Sequence, residues 1–113
     1  MTIRPQNASG FLHETAEFKC GSNTTEQGTG ELVPVRWEFS GEKECIFCVG
    51  ELTKKYKGRY SVDRSVVGEY TLRVENISLN DSGTYKCIDH ASAGTEEALA
   101  DLVVKFRSDS GEF

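Results

Sequence analysis

The chain has 113 residues, with 13 Lys and Arg against 18 Asp and Glu and a formal net charge of −5. That length suits one domain around a single small core, and the acidic balance argues against a nucleic-acid partner. No stretch reaches the ~18 consecutive apolar residues of a membrane span, and residues 1–4 do not open a signal peptide, so the start reads as that of an excised extracellular piece. Four cysteines in so short a chain point to an oxidising compartment.

Period-two alternation runs along the chain, and no segment offers a long apolar stripe at helical spacing. Residues 15–21 put Ala16, Phe18 and Cys20 on one side and Glu17 and Lys19 on the other. A polar loop, 21–30, follows. Residues 33–40 form a second strand, with Val35, Trp37 and Phe39 inward and Arg36 and Glu38 outward, and 41–44 turn the chain. Residues 45–50 read as the next strand. Residues 51–57 read as a charged edge segment, where lysines discourage pairing with another chain. Strands are predicted over 59–64 and over 69–75, the latter with Leu72 and Val74 inward, and Ile77 plugs the corner before Asp81. Residues 84–90 place Tyr85, Cys87 and Asp89 on the core side. A last strand carries Ala98, Ala100, Leu102 and Val104. Residues 108–113 show no strand pattern and are set aside as a tail, leaving 1–107 as one all-β domain.

The string Asp81-Ser82-Gly83-Thr84-Tyr85-Lys86-Cys87, taken with Cys20 and Trp37, resembles the immunoglobulin superfamily. The resemblance implies a two-sheet antiparallel sandwich in which Cys20 and Cys87 join the sheets, Trp37 packs on their bond, and the Tyr85 hydroxyl caps a corner of backbone. In the family's lettering the strands above become B, C, C′, D, E, F and G, with 51–57 as the edge region of C″. The long spacing from Cys20 to Cys87 fits the added C′–C″ hairpin of a variable-type (V-set) domain. Arg59-Tyr60-Ser61 is similar to the R-F-S that opens strand D in V-set domains, which implies that Arg59 pairs with Asp81. Antigen-receptor domains carry F-G-x-G on strand G. Here the residues are Ala98-Leu99-Ala100-Asp101, so the chain resembles a germline-encoded domain with an I-set-like last strand.

Cys45-Ile46-Phe47-Cys48 stands apart from that pattern. A redox motif would need a thiol poised at a helix start, and zinc would need two further ligands, for which only His13 and His90 are at hand. A local disulfide is expected instead, and it makes a structural demand. Residues i and i+3 of a regular strand sit ~10 Å apart on opposite faces, beyond the ~7 Å limit of a bridge. A Cys45–Cys48 bond therefore requires a bulge or tight turn; otherwise the two are free or one joins another chain.

Four sequons begin at Asn7, Asn23, Asn76 and Asn80. Asn23, in a polar loop, is the first choice as glycan acceptor, followed by Asn76 and Asn7. Asn80 is disfavoured because a sugar there would crowd the corner made by Asp81 and Tyr85. The glutamates at 14, 17, 31, 38 and 42 read as a solvated face, and no nucleophile or phosphate-cradling glycine loop accompanies them, so no enzymatic role and no cofactor is expected. The basic run 54–59 reads as edge protection first and as a contact for an acidic partner second.

In V-set domains the sheet of strands G, F, C and C′ is the usual recognition surface. By alternation from Trp37 and Cys87, the outward residues there are Arg36, Glu38, Ile46, Cys48, Lys86, Ile88 and His90, with Ile46 and Ile88 as an apolar centre ringed by charge. The expected function is that of an extracellular recognition domain of a cell-surface immune-type or adhesion receptor, binding a protein or a second copy of itself. The alternative is a secreted innate pattern-recognition module that binds carbohydrate or a microbial surface through the end loops near Asn23 and Ser92. Those loops carry none of the aromatic platforms that sugars favour.

Overall fold

The computed structural model describes residues 2–22, 34–40, 44–90 and 95–106. Its strands are β1 (Ala8–Phe11), β2 (Ala16–Phe18), β3 (Val35–Phe39), β4 (Glu44–Cys48), β5 (Glu51–Leu52), β6 (Tyr60–Asp63), β7 (Thr71–Val74), β8 (Gly83–Asp89) and β9 (Glu96–Lys105). They form two sheets, ordered β1-β9-β8-β3-β4-β5 and β2-β7-β6. The architecture is an all-β sandwich, and the β4–β5 pair supplies the extra C′–C″ hairpin on the larger sheet.

Alternation explains the core. Trp37 lies in register with Cys87, which in turn faces Ala98, so strands β3, β8 and β9 turn the same phase inward. Cys20, just past β2, is bonded to Cys87 across the sandwich. A buried indole needs a partner for its N–H, and Trp37 Nε1 donates to the carbonyl of Tyr70 at 3.1 Å. The Phe18 ring lies 5.1 Å from that of Tyr85 and 6.3 Å from that of Trp37, filling the space beside the bond.

One strand went unforeseen. β1 pairs in parallel with β9, Ala8 opposite Leu102 and Phe11 opposite Lys105. Its residues are half-buried or exposed without clear alternation, because it lies at the margin of the sheet. Its partner is distant in sequence, so no local pattern announces it. The segment 51–57 also divides: only Glu51–Leu52 is strand, and Lys54–Tyr56 form a 3-10 turn.

The corner before β8 is built on one carboxylate. Arg59 clamps Asp81 with Nη1 to Oδ2 at 2.8 Å and Nη2 to Oδ1 at 3.1 Å. The Tyr60 hydroxyl donates to Oδ1 at 2.6 Å, and the Ser78 N–H donates to Oδ2 at 2.8 Å. The Tyr85 hydroxyl donates to the Asp81 carbonyl at 2.6 Å. Each phenol has one proton, and both are committed to these short bonds, so the 3.1 Å approach of the two hydroxyl oxygens is a contact without a proton of its own. Gly83 is required here: its φ is +145°, and a Cβ would fall 2.8 Å from the Phe39 ring.

Burial pushes the Asp81 carboxyl up, but the hydrogen bonds from Arg59, Tyr60 and Ser78 outweigh it and hold the group below the usual carboxylate range. Burial pushes the Tyr85 phenol up to about 12, so it stays a donor at any physiological pH. A depressed folded value means that the Asp81 contribution is complete above its unfolded pKa of ~3.9 and is lost as pH falls through the folded one. Asp81→Asn should therefore destabilise the domain by about 2–3 kcal/mol near neutrality, less than the ~3–5 kcal/mol of a fully buried pair because Arg59 is open to water. In urea titrations across pH, the gap between parent and variant should hold steady from pH 5 to 8 and narrow below ~pH 4. A gap that ignores pH would mean the carboxylate charge is not what stabilises the corner.

Candidate recognition face

The outer face of the large sheet is built from the side chains that alternate away from Trp37, Cys87 and Ala98. On β3 these are Arg36 and Glu38, joined by a 2.8 Å ion pair. On β8 they are Lys86 and Ile88, and Lys86 reaches Glu97 of β9 at 3.7 Å. The register sets Glu38 opposite Lys86 and Arg36 opposite Ile88, so charges of opposite sign run across three strands. His90 closes the row at the end of β8, exposed, with its Nδ1 3.1 Å from the Thr95 hydroxyl.

Ile46 is not on this face. It is 0 % exposed and belongs to the core, which corrects the expectation drawn from alternation. The reason is a bulge in the β3–β4 pairing: Trp37 faces Phe47 but Glu38 faces Cys45, leaving Ile46 as the extra residue. Phe47 shares the inward side with Trp37, while Cys45 shares the outward side with Glu38. Cys48, opposite Glu51, also turns outward. The bulge thus brings both cysteines to one face, with Cα atoms 6.2 Å apart, and the structure joins them. Ile88 does face outward, but it is only 7 % exposed.

The open apolar groups of this sheet lie on β9. Leu99 is 58 % and Val103 52 % exposed. Leu99 stands opposite Lys86 and diagonal to Ile88, whose direct partner is Glu97. The signal was present in the sequence: a strand with Ala98, Ala100, Leu102 and Val104 inward must turn Leu99 and Val103 outward. The open apolar group of this region is therefore Leu99, diagonal to the buried Ile88, with Arg36, Glu38, Lys86 and Glu97 on the same face.

Of the sequons, Asn7 is exposed beside β9 and accepts the Asp101 N–H at 2.9 Å, and Asn76 is exposed with its Oδ1 2.8 Å from His13 Nδ1. Asn80 lies on the exposed side of the 3-10 turn Leu79–Asp81. Asn23 and Ser92 lie outside the described residues. No helix among the described residues is long and apolar enough to cross a membrane.

The two disulfides differ in what they restrain. The Cys20–Cys87 bond closes a loop with a sequence separation of 67, and the Cys45–Cys48 bond one of 3. In the chain-entropy model these correspond to about 4 and about 1.5–2 kcal/mol. Replacing Cys45 and Cys48 together by Ser should shift the denaturation midpoint modestly, whereas Cys20→Ala should unfold the domain or cost more than twice as much. At the β4–β5 turn, Val49 and Gly50 both have positive φ, +55° and +77°, as a type I′ turn demands. A β-branched residue is strained there. Val49→Asn should raise stability by about 1 kcal/mol, seen as a melting temperature higher by roughly 4–8 °C.

Comparisons with known proteins agree with this geometry. The family model for the immunoglobulin V-set domain matches residues 3–105. The chain is 31% identical over 103 residues to human Roundabout homolog 1, covering 90% of this chain and 5% of that protein. It is 44% identical over 107 residues to the rat V-set domain-containing T-cell activation inhibitor 1, covering 87% of this chain and 37% of that protein. It thus spans only a part of either relative. Among solved structures, Dpr1 IG1 bound to DIP-eta IG1 superposes with a TM-score of 0.73 at 16% identity, covering 92% of each chain. With the inter-sheet bond, the Asp81 corner and the β4–β5 hairpin all in place, the chain belongs to the immunoglobulin V-set family.

Proposed function

We propose that this domain is an extracellular protein-recognition module that docks through the β9–β8–β3 face and carries out no chemistry of its own. The observation that supports it most is Leu99, an exposed leucine of β9 that lies diagonal to Ile88 and has charged side chains for neighbours. An apolar centre within a polar rim is the layout of a protein interface. The Arg36–Glu38 and Lys86–Glu97 pairs present both charge signs around that centre, which favours a partner of complementary polarity and disfavours a merely sticky surface. The solved complex of Dpr1 IG1 with DIP-eta IG1 joins two domains of this fold. A second immunoglobulin domain, of this chain or another, is accordingly the partner class to test first. Two disulfides support an extracellular setting, and Asn7 and Asn76, both exposed, suit glycan attachment.

A charge placed at the centre must be desolvated on docking without a partner of its own. Leu99→Glu should weaken association by at least about tenfold, with the melting temperature unchanged because the side chain is already in water. Leu79→Glu, a control at an equally open leucine on the turn before β8, should leave association intact. Sedimentation equilibrium over a concentration series reads the homotypic case, and a displayed panel of extracellular immunoglobulin domains reads the heterotypic one. If Leu99→Glu associates like the parent, docking does not use this face.

A further inference from the structure

The connection from β5 to β6 concentrates positive charge in an acidic protein. Lys54, Lys55, Lys57 and Arg59 fall within six residues of a chain whose net charge is −5, and all four are exposed. Two tyrosines hold the segment in place. Tyr56 and Tyr60 are both buried, meet edge to face with ring centroids 4.8 Å apart, and donate to Glu44 and Asp81 at 2.6 Å each. The Arg59 carbonyl accepts the Glu75 N–H at 2.8 Å, and the Thr53 N–H is bonded to Ile46 at 2.9 Å. Anchors at 56 and 60 leave the residues between and before them no direction but outward. The result is a ridge of cations on a fixed frame.

The charges are unevenly compensated. Lys55 is held by Glu44 at 2.7 Å and Arg59 by Asp81 at 2.8 Å, whereas no described carboxylate lies in ion-pair range of Lys54 or Lys57. Beside the ridge a shallow cleft of about 410 Å³ is lined by Phe39, Lys55, Tyr56, Arg59, Tyr60, Asn80 and Asp81. The Asp81 oxygens within it are already occupied by Arg59, Tyr60 and Ser78. What the cleft offers an incoming group is cationic rim and the Asn80 amide.

We propose that the 54–59 ridge and its cleft bind a sulfated polysaccharide of the heparan-sulfate class. Closely spaced Lys and Arg in a run of five to eight residues form the kind of patch that sulfated glycans recognise. A protein partner would want an apolar anchor at the centre, and this ridge has none, since both tyrosines turn inward. A single-stranded nucleic acid would want exposed aromatic rings for stacking, and the same two tyrosines are unavailable. The site is independent of the β9–β8–β3 face.

The test uses the 113-residue chain on a heparin-coated sensor at near-physiological salt. The parent should bind, and its affinity should fall steeply as salt rises. Lys54→Glu with Lys57→Glu should weaken binding by about tenfold or more while leaving the melting temperature unchanged, because neither side chain has an ion-pair partner among the described residues. Lys19→Glu with Lys105→Glu changes the net charge equally at distant exposed positions, and Leu99→Glu alters the protein-binding face. Both should bind heparin like the parent, within about threefold after the shift in overall charge. Failure of the parent to bind, or equal binding by the 54/57 variant and the parent, overturns the proposal. So does equal binding to polyglutamate or to chemically desulfated heparin, since the ridge would then be reading negative charge of any kind.

Discussion

The three central strands of the large sheet take their phase from one contact, the Cys20–Cys87 bond seen from Trp37. Because Trp37 and Cys87 are direct neighbours across β3 and β8, and both must face the opposite sheet, each residue on those strands is committed to a side. Val35, Tyr85 and Asp89 turn inward, and Arg36, Glu38, Lys86 and Ile88 outward. A domain of this size has a small core and little surplus stability, so a covalent pin at that point does more than add a few kcal/mol. It removes register slips, which would carry every charged residue of the face into the interior.

The corner at Asp81 was legible in the sequence through the resemblance that its motif carries. In the D-S-G-T-Y-x-C string each residue has a job that other residue types do poorly. The Asp81 carboxylate accepts from three residues, Gly83 holds a backbone angle and a clearance that a Cβ would spoil, and Tyr85 reaches back four residues to a carbonyl. Arg59 was legible as well, although it lies on another strand, because it keeps its place relative to the start of strand D. β1 was not. A marginal strand that pairs in parallel with the far end of the chain leaves no periodicity of its own, and only the long-range hydrogen bonds define it.

Ile46 is a more instructive case, because two expectations about it were incompatible. A bond between Cys45 and Cys48 demands a break in alternation, and alternation carried unbroken through the same residues put Ile46 outside. Once the bulge is granted, the phase of β4 on its two sides differs by one residue. The extra residue, Ile46, then enters the core while the two cysteines share the outer surface. The apolar centre of the face consequently moves from β4 to β9, where Leu99 and Val103 follow from simple alternation.

The lysines between β5 and β6 show how one physical constraint leads to another. β5 is two residues long and is followed at once by a 3-10 turn, a blunt ending that offers little backbone to a stray strand. Positive side chains at the same place reinforce that protection. A protecting charge must point into solvent, and one that points into solvent at the margin of a sheet has few carboxylates of its own chain to meet. Lys55 and Arg59 find theirs because Glu44 and Asp81 are tied down by Tyr56 and Tyr60. Lys54 and Lys57 have no such partner among the described residues, and like-signed neighbours held close together repel one another until an anion arrives. An edge defended in this way is already most of an anion site, and because the tyrosines hold the backbone, the ordering cost that remains on binding falls on the lysine side chains.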